Sequence, residues 1–442
     1  MIELLGNVLP IILFLILLLL GCAVAFSLAI SGAVGLWLLV GPQATLGVLQ
    51  TIPFRTTSSF VLVSIAMFIL MAELTSQSGI TSRLFAAANA FVGHLRGGLG
   101  VATVLASAAF GTLSGSSVAA AATMSRVAIP EMLARGYSKT FSAGTASISG
   151  TLAIVIPPSI PLVIFGILTE TSISKLLLAG VIPGALTAFS YICAIAVWTK
   201  VDPDVAPAGA TKATRKEKWE TSRVLWPFLL VLALVFVALY SGAITTTEAS
   251  AVGAATVFLV WLLLSKVGAA GLQPMTVTGL KQAFDRTLRS TVMIVVLLIG
   301  AYIFSFYLTN TGVTQFFIEY VAEMNVPRLV ILLCVILIYL ILGCFMSQLE
   351  IMILTLPFVF PLILKLGYDP IWFGIVVVKT IEIGLVTPPV GMNVFVVAST
   401  SGKVSASDGF KGVTPFLLME IAVLALLIMI PDIVLFVPRA MG

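Results

Sequence analysis

Two stretches place residues that could do chemistry inside an otherwise apolar chain. Ser149-Gly-Thr-Leu-Ala-Ile-Val-Ile-Pro-Pro158 and Gly384-Leu-Val-Thr-Pro-Pro-Val-Gly-Met-Asn393 each carry a hydrophobic run into consecutive prolines, Pro157–Pro158 and Pro388–Pro389. Proline removes an amide donor and clashes with the preceding turn, and the residue before it avoids the α region. Each pair therefore unwinds a helix and frees carbonyls, which at membrane depth must line a cavity or hold a ligand. Each break has a polar companion upstream, Gly111-Thr-Leu-Ser-Gly-Ser-Ser117 and Gly343-Cys-Phe-Met-Ser-Gln348. Carbonyls and Ser/Thr hydroxyls are the hard oxygen ligands a sodium ion takes, and half-helix N-termini facing them favour an anionic group. A lone proline such as Pro10 or Pro227 reads as a kink, and Ala119–Ala122 as close helix packing. Neither reading accounts for the hydroxyls of Ser114–Ser117.

Ionisable residues inside apolar stretches are functional candidates, because hydrocarbon makes them costly. Glu350 follows the second polar stretch, while Lys379 and Glu382 lie three apart on the run towards Pro388. That spacing puts the latter two on one helical face, either as a neutralising ion pair or as a pair that handles substrate or protons. Hydrolysis fits poorly. A serine nucleophile needs a base within hydrogen-bond reach, and the single histidine, His94, ends an interfacial segment, so no catalytic residue is assigned. Cys22, Cys193, Cys334 and Cys344 all lie in apolar stretches with no CxxC pair, which argues against thiolate metal sites and disulfides.

The elements that must position these residues are membrane helices. Of 442 residues, 60% are hydrophobic and 9% charged, against about 25% charged in a soluble domain. Met1–Cys22 has no basic leader and carries Glu3, so it reads as a retained span. At roughly 20 apolar residues per crossing, ten spans fall near 4–22, 23–42, 57–77, 138–168, 174–199, 224–241, 246–266, 288–308, 370–399 and 412–437. The stretches 97–134 and 328–366 read as re-entrant hairpins, led in by interfacial segments 79–95 and 312–324. The fold class is an all-α polytopic membrane protein.

A basic linker, 200–223, separates a first repeat, 1–199, from a second, 224–442. Five crossings per half invert the second half relative to the first. With the linker in the cytoplasm, seventeen Lys/Arg fall on that side and five outside, as the positive-inside rule requires. Both termini then lie outside. The net charge of +5 comes from these loops and points to lipid headgroups, not nucleic acid. Pro130, Gly136-Tyr137 and Pro157-Pro158 recur as Pro361, Gly367-Tyr368 and Pro388-Pro389, all at an offset of 231 residues, which also carries Ser116 onto Ser347 and Thr169 onto Thr400. Inverted repeats with interrupted helices are the architecture of secondary transporters.

From Gly111 to Gly184 the chain, with SGSSVA, IPEM, GY, GTLAIVIPPSIPL and AGVIPG, resembles the large membrane subunit of tripartite ATP-independent periplasmic (TRAP) transporters. Glu382-Ile-Gly-Leu-Val-Thr-Pro-Pro-Val-Gly391 matches the same family, and the resemblance covers nearly the whole chain. It implies an elevator-type transport domain of hairpins and broken helices, held in a scaffold of the other spans in a bacterial inner membrane. It also implies sodium-coupled uptake of a small organic acid: a C4-dicarboxylate, sialic acid or another sugar acid. The partners implied are a small four-span membrane subunit and a soluble periplasmic substrate-binding protein. By position, two or more sodium ions would be held at Ser114, Gly115, Ser116, Ser149, Gly150 and Thr151, and at Ser347, Gln348, Gly384 and Thr387. Substrate would meet Ser116, Ser117, Ser347, Thr387, Asn393 and Glu382. The chain departs from the family pattern at Ser347, where members often carry an acid; the nearest here is Glu350. The nearest alternative is a stand-alone sodium/dicarboxylate-type elevator carrier without a binding protein. A channel fits paired inverted hairpins less well.

Overall fold

Apolar runs broken by Gly and Pro fold into a succession of helices in the computed structural model, which describes residues 2–207, 209, 212–241, 244–267, 272–323 and 326–440. Every regular element among these residues is helical. Six helices are long and apolar enough to cross a membrane, and up to nine spans result if each sharply bent pair counts as one. Lys139–Val155 and Ile160–Thr169 form one such pair, bent by 41° at Pro157–Pro158, as the double proline predicts. Arg328–Phe345 and Gln348–Lys365 each meet the span criterion alone.

Several boundaries differ from the sequence reading, among them the span expected over 288–308, which belongs to a helix running Val277–Thr311. Gly41, with φ 82°, ends the Val24–Val40 helix, and Pro42 at once starts another, Pro42–Thr57, which hydropathy alone had not separated. The last long helix runs Ala406–Met429, not 412–437. A capping box of Ser405 and Asp408 starts it early, and a separate Asp432–Ala440 helix follows.

The order of elements repeats. Ile80–Val92, Gly98–Ser114, Ser117–Ala134, Lys139–Val155 and Ile160–Thr169 are matched by Val313–Glu323, Arg328–Phe345, Gln348–Lys365, Pro370–Gly384 and Met392–Ser401. Gly79 and Gly312, and likewise Gly136 and Gly367, hold left-handed φ at corresponding turns, a conformation glycine adopts without strain. Both Pro–Pro bonds are cis.

The chain divides into two compact units, each drawn from both halves of the sequence. One comprises Met1–Val63, Leu288–Val335 and Leu349–Pro370. Within it Val24–Val40 crosses the later part of Val277–Thr311 closely. A Cβ on Gly32 would fall 2.8 Å from the Phe304 main chain, and one on Gly35 2.3 Å from the Tyr307 ring. Small residues allow such approaches where lipid gives no hydrophobic drive between helices.

The other unit, Ser64–Thr287, Ile336–Gln348 and Ile371–Gly442, carries most of the candidate residues. Gly98–Ser114 and Ser117–Ala134 form the first hairpin, joined by Gly115 and Ser116. Both pack on Lys139–Val155, which is buried at every residue from Phe141 to Val155. Ala406–Met429 packs on the same helix, where a Cβ on Gly144 would fall 2.2 Å from the Gly412 main chain. Val181–Val201 lies in turn against Ala406–Met429.

Candidate functional site

The first hairpin turns in two residues. Gly115 takes φ 57°, and Ser116 caps the next helix, its Oγ accepting from the Ala119 amide at 3.4 Å. Ser114 Oγ holds the turn from inside, donating to the Ser116 carbonyl and accepting from its amide, each at 3.3 Å. This tip rests on the first break, because a Cβ on Gly115 would lie 3.1 Å from the Pro158 carbonyl oxygen. Gly111 is equally tight, its absent Cβ 2.7 Å from Ala153 Cα, and that of Gly150 2.8 Å from the Ser117 carbonyl oxygen. The second repeat makes the corresponding contact, since a Cβ on Gly384 would fall 2.6 Å from Gly343 Cα. In the first repeat, then, the polar turn rests on the helix break, and in the second the helices that lead to turn and break meet closely at Gly343 and Gly384.

Beyond each break the last carbonyls of one helix and the first amides of the next lack regular partners. At the first, the Ile156 amide bonds the Leu152 carbonyl at 3.1 Å, and Ser159 caps the helix that resumes at Ile160. At the second, the Asn393 amide reaches back to the Leu385 carbonyl at 3.0 Å, and Thr387 Oγ1 donates to the Ile383 carbonyl at 2.6 Å. The fully buried Asn393 side chain donates from Nδ2 to Ser117 Oγ at 2.6 Å. The first tip therefore meets both breaks. Asn393 Oδ1 is buried there without a hydrogen-bond partner, as is Gln348 Oε1 beside the second tip. Buried acceptors are nearly always satisfied; among the described residues these are two of eleven buried side-chain atoms without a partner, one at the second break and one at the second tip.

Not every predicted residue joins this junction with a free group. Ser149, Gly150 and Thr151 lie inside the regular helix, a turn before its end. Ser149 Oγ donates to the Thr145 carbonyl at 2.6 Å, and Thr151 Oγ1 to the Ile148 carbonyl at 2.6 Å. This is the back-bonding of hydroxyls within helices. Ser347 lies between its two helices, and both it and Thr387 are half-buried.

Glu382 faces a different set of groups. Lys379 Nζ lies 3.1 Å from Glu382 Oε2 and 2.5 Å from Glu420 Oε2, all three side chains fully buried. The Tyr191 hydroxyl is hydrogen-bonded to Glu420 Oε1 and lies 2.8 Å from Thr151 Oγ1. The Lys379–Glu382 pair was legible from its spacing. Glu420 was missed, although an acid in a run as apolar as Ala406–Met429 is the signal that singled out the other two. Tyr191 gave no such signal. Glu350 falls in the other compact unit.

A family model described as the tripartite ATP-independent periplasmic transporter, DctM component, matches residues 11–433. The C4-dicarboxylate TRAP transporter large permease protein DctM of Pseudomonas aeruginosa is 34% identical over 416 residues, 94% of each chain. The sialic acid TRAP transporter large permease protein SiaM of Vibrio cholerae is 31% identical over 384 residues, 86% of this chain and 87% of its own. Among solved structures, the Alcanivorax borkumensis YdaH transporter superposes with a TM-score of 0.61, covering 89% of this chain and 90% of that one at 15% identity. That likeness is one of fold. These relatives are transporters and not enzymes, and this chain, a multi-span helical membrane protein, belongs to the DctM family of TRAP transporter large permeases.

Proposed function

We propose that the chain is the permease through which a small organic anion, handed over by a periplasmic binding protein, enters the cell together with sodium ions. The observation that carries this reading is the junction of Ser117 with Asn393, where a polar turn and a broken helix meet around a buried acceptor without a donor. A cation supplies what such an oxygen lacks. Sodium at the first tip would draw on Ser114, Gly115 and Ser116 with Asn393 Oδ1. At the second it would draw on Ser347, Gln348, Gly384 and Thr387. Ser149 and Thr151 donate their hydroxyl hydrogens within their helix, as Thr387 does, which leaves oxygen lone pairs for the first ion. The anion would lie at the half-helix N-termini beginning at Ile160 and Met392, where the helix dipole favours negative charge. Ser116, Ser117, Thr387 and Asn393 stand beside those termini in sequence or in contact.

A C4-dicarboxylate or sialic acid, the substrates named for two relatives, has the carboxylate this arrangement suits. The partners in this reading are a small four-span membrane subunit and the binding protein. The second repeat is inverted relative to the first, linker 200–223 is cytoplasmic, and the tips and broken helices move together as an elevator. The test is uptake of radiolabelled organic acids into proteoliposomes holding the chain and its small subunit, under an inward sodium or potassium gradient, with and without the binding protein. Uptake that needs sodium and the binding protein supports the proposal. Uptake with sodium alone favours a stand-alone carrier, and equal uptake in potassium removes sodium coupling.

A further inference from the structure

The helix Arg215–Arg223 in the basic linker plays no part in handling substrate, and its two sides differ. One side packs on Ile80–Val92, where Lys218 Nζ lies 5.4 Å from the centroid of the Phe91 ring. Lys218, Thr221 and Ser222 are half-buried there. The other side is uncovered. Arg215, Trp219 and Arg223 follow one another at every fourth residue, and Lys216 falls beside Arg223, so the four share one exposed face. Of the two acids, Glu217 is held in a capping box with Thr214, and Glu220 borders the face.

Water would suit the three cations of this face but not the ring between them. Trp219 is 70% exposed, and Phe91, against which Lys218 rests, is 48% exposed. A tryptophan set among cations is the make-up of an interfacial helix, its ring among the headgroups and its charges on their phosphates. The chain connection sets the depth. After Val224 and Leu225 the apolar helix Trp226–Ser241 begins, at 53° to the linker helix, with Trp226 exposed at its start. Such a tryptophan marks the level where a membrane helix meets water. Three cations held there complement negative headgroups. We propose that Arg215, Lys216, Trp219 and Arg223 form a docking site for anionic phospholipids of the leaflet at which the Trp226 helix begins.

Amide exchange of the purified protein with its small subunit tests this in nanodiscs of phosphatidylcholine, alone or mixed with phosphatidylglycerol. Peptides covering residues 215–223 should exchange about tenfold more slowly in the anionic discs. Added potassium chloride should erase the difference, because exposed charges are screened. Arg215→Gln, Lys216→Gln and Arg223→Gln together keep the cap and the helix propensity, and should bring exchange in anionic discs to the rate in neutral ones. Brominated acyl chains in the anionic discs should quench more tryptophan emission from wild type than from Trp219→Phe. Equal exchange in the two lipids would overturn the inference, leaving the face to the small subunit or to water. So would equal quenching, a difference that survives salt or the triple substitution, or one that inorganic phosphate reproduces in neutral discs.

Discussion

Ser117 and Asn393 lie 276 positions apart, yet they share one short hydrogen bond sealed from solvent. Removing the acceptor would strand the Asn393 amide, and an orphaned buried donor costs about 1–3 kcal/mol. Ser117→Ala should accordingly lower the melting temperature and weaken the sodium dependence of uptake together; a variant matching wild type in both would separate this bond from the site. Lys379→Met would leave two carboxylates facing one another without their cation, a loss of about 3–5 kcal/mol. Adding Glu382→Gln should recover part of that stability by removing one of the two facing carboxylates, a coupling that a double-mutant cycle in thermal unfolding would measure. At this scale the hydroxyl-rich tip, Asn393 and the Lys379–Glu382 pair were legible in the sequence. The partnership of Glu420 with Tyr191 was not. These residues sit 229 positions apart on different helices, beyond any local spacing rule.

Helix seats here depend on glycine. Gly384 has Gly343 Cα where its own Cβ would be, 2.6 Å away, and main chain cannot swing aside as a flexible side chain can. Gly384→Ala should cost about 1–3 kcal/mol by overpacking and push apart the two helices that lead to the second tip and break, lowering uptake. Gly47→Ala, with nothing within 4 Å of the added carbon, is the control and should leave uptake unchanged. The linker helix Arg215–Arg223 has its own signature in a capping box of Thr214 and Glu217. The Thr214 amide donates to Glu217 Oε2 at 2.6 Å, and this bond with that of the Thr214 hydroxyl holds the Glu217 carboxyl below its ordinary range. A lowered carboxyl stabilises fully above its unfolded value and loses that contribution as pH falls through the folded one. Amide exchange in residues 215–223, corrected for its intrinsic pH dependence, should show constant protection from neutral down to about pH 5, with loss only in stronger acid. Most helices were legible from hydropathy and proline. Pro42–Thr57 was not, because its polar residues dilute the apolar signal on which span finding rests, and the Asp408 cap hid the early start of the last long helix.

Over the whole chain, the offset of 231 residues in the sequence reappears as five helices followed by five counterparts. The grouping into compact units was not legible. A repeat identifies equivalent residues, whereas each unit is assembled from segments of both halves by long-range packing. The account rests on sodium ordering the two polar turns and the two breaks. The most direct test is hydrogen exchange, followed by mass spectrometry, of the purified protein with its small subunit in sodium or potassium at equal ionic strength. The account predicts slower exchange in sodium confined to peptides spanning Gly111–Ser117, Gly343–Gln348, Ile156–Ile160 and Thr387–Asn393. Indistinguishable exchange in the two salts, or protection that spares all four, would contradict it.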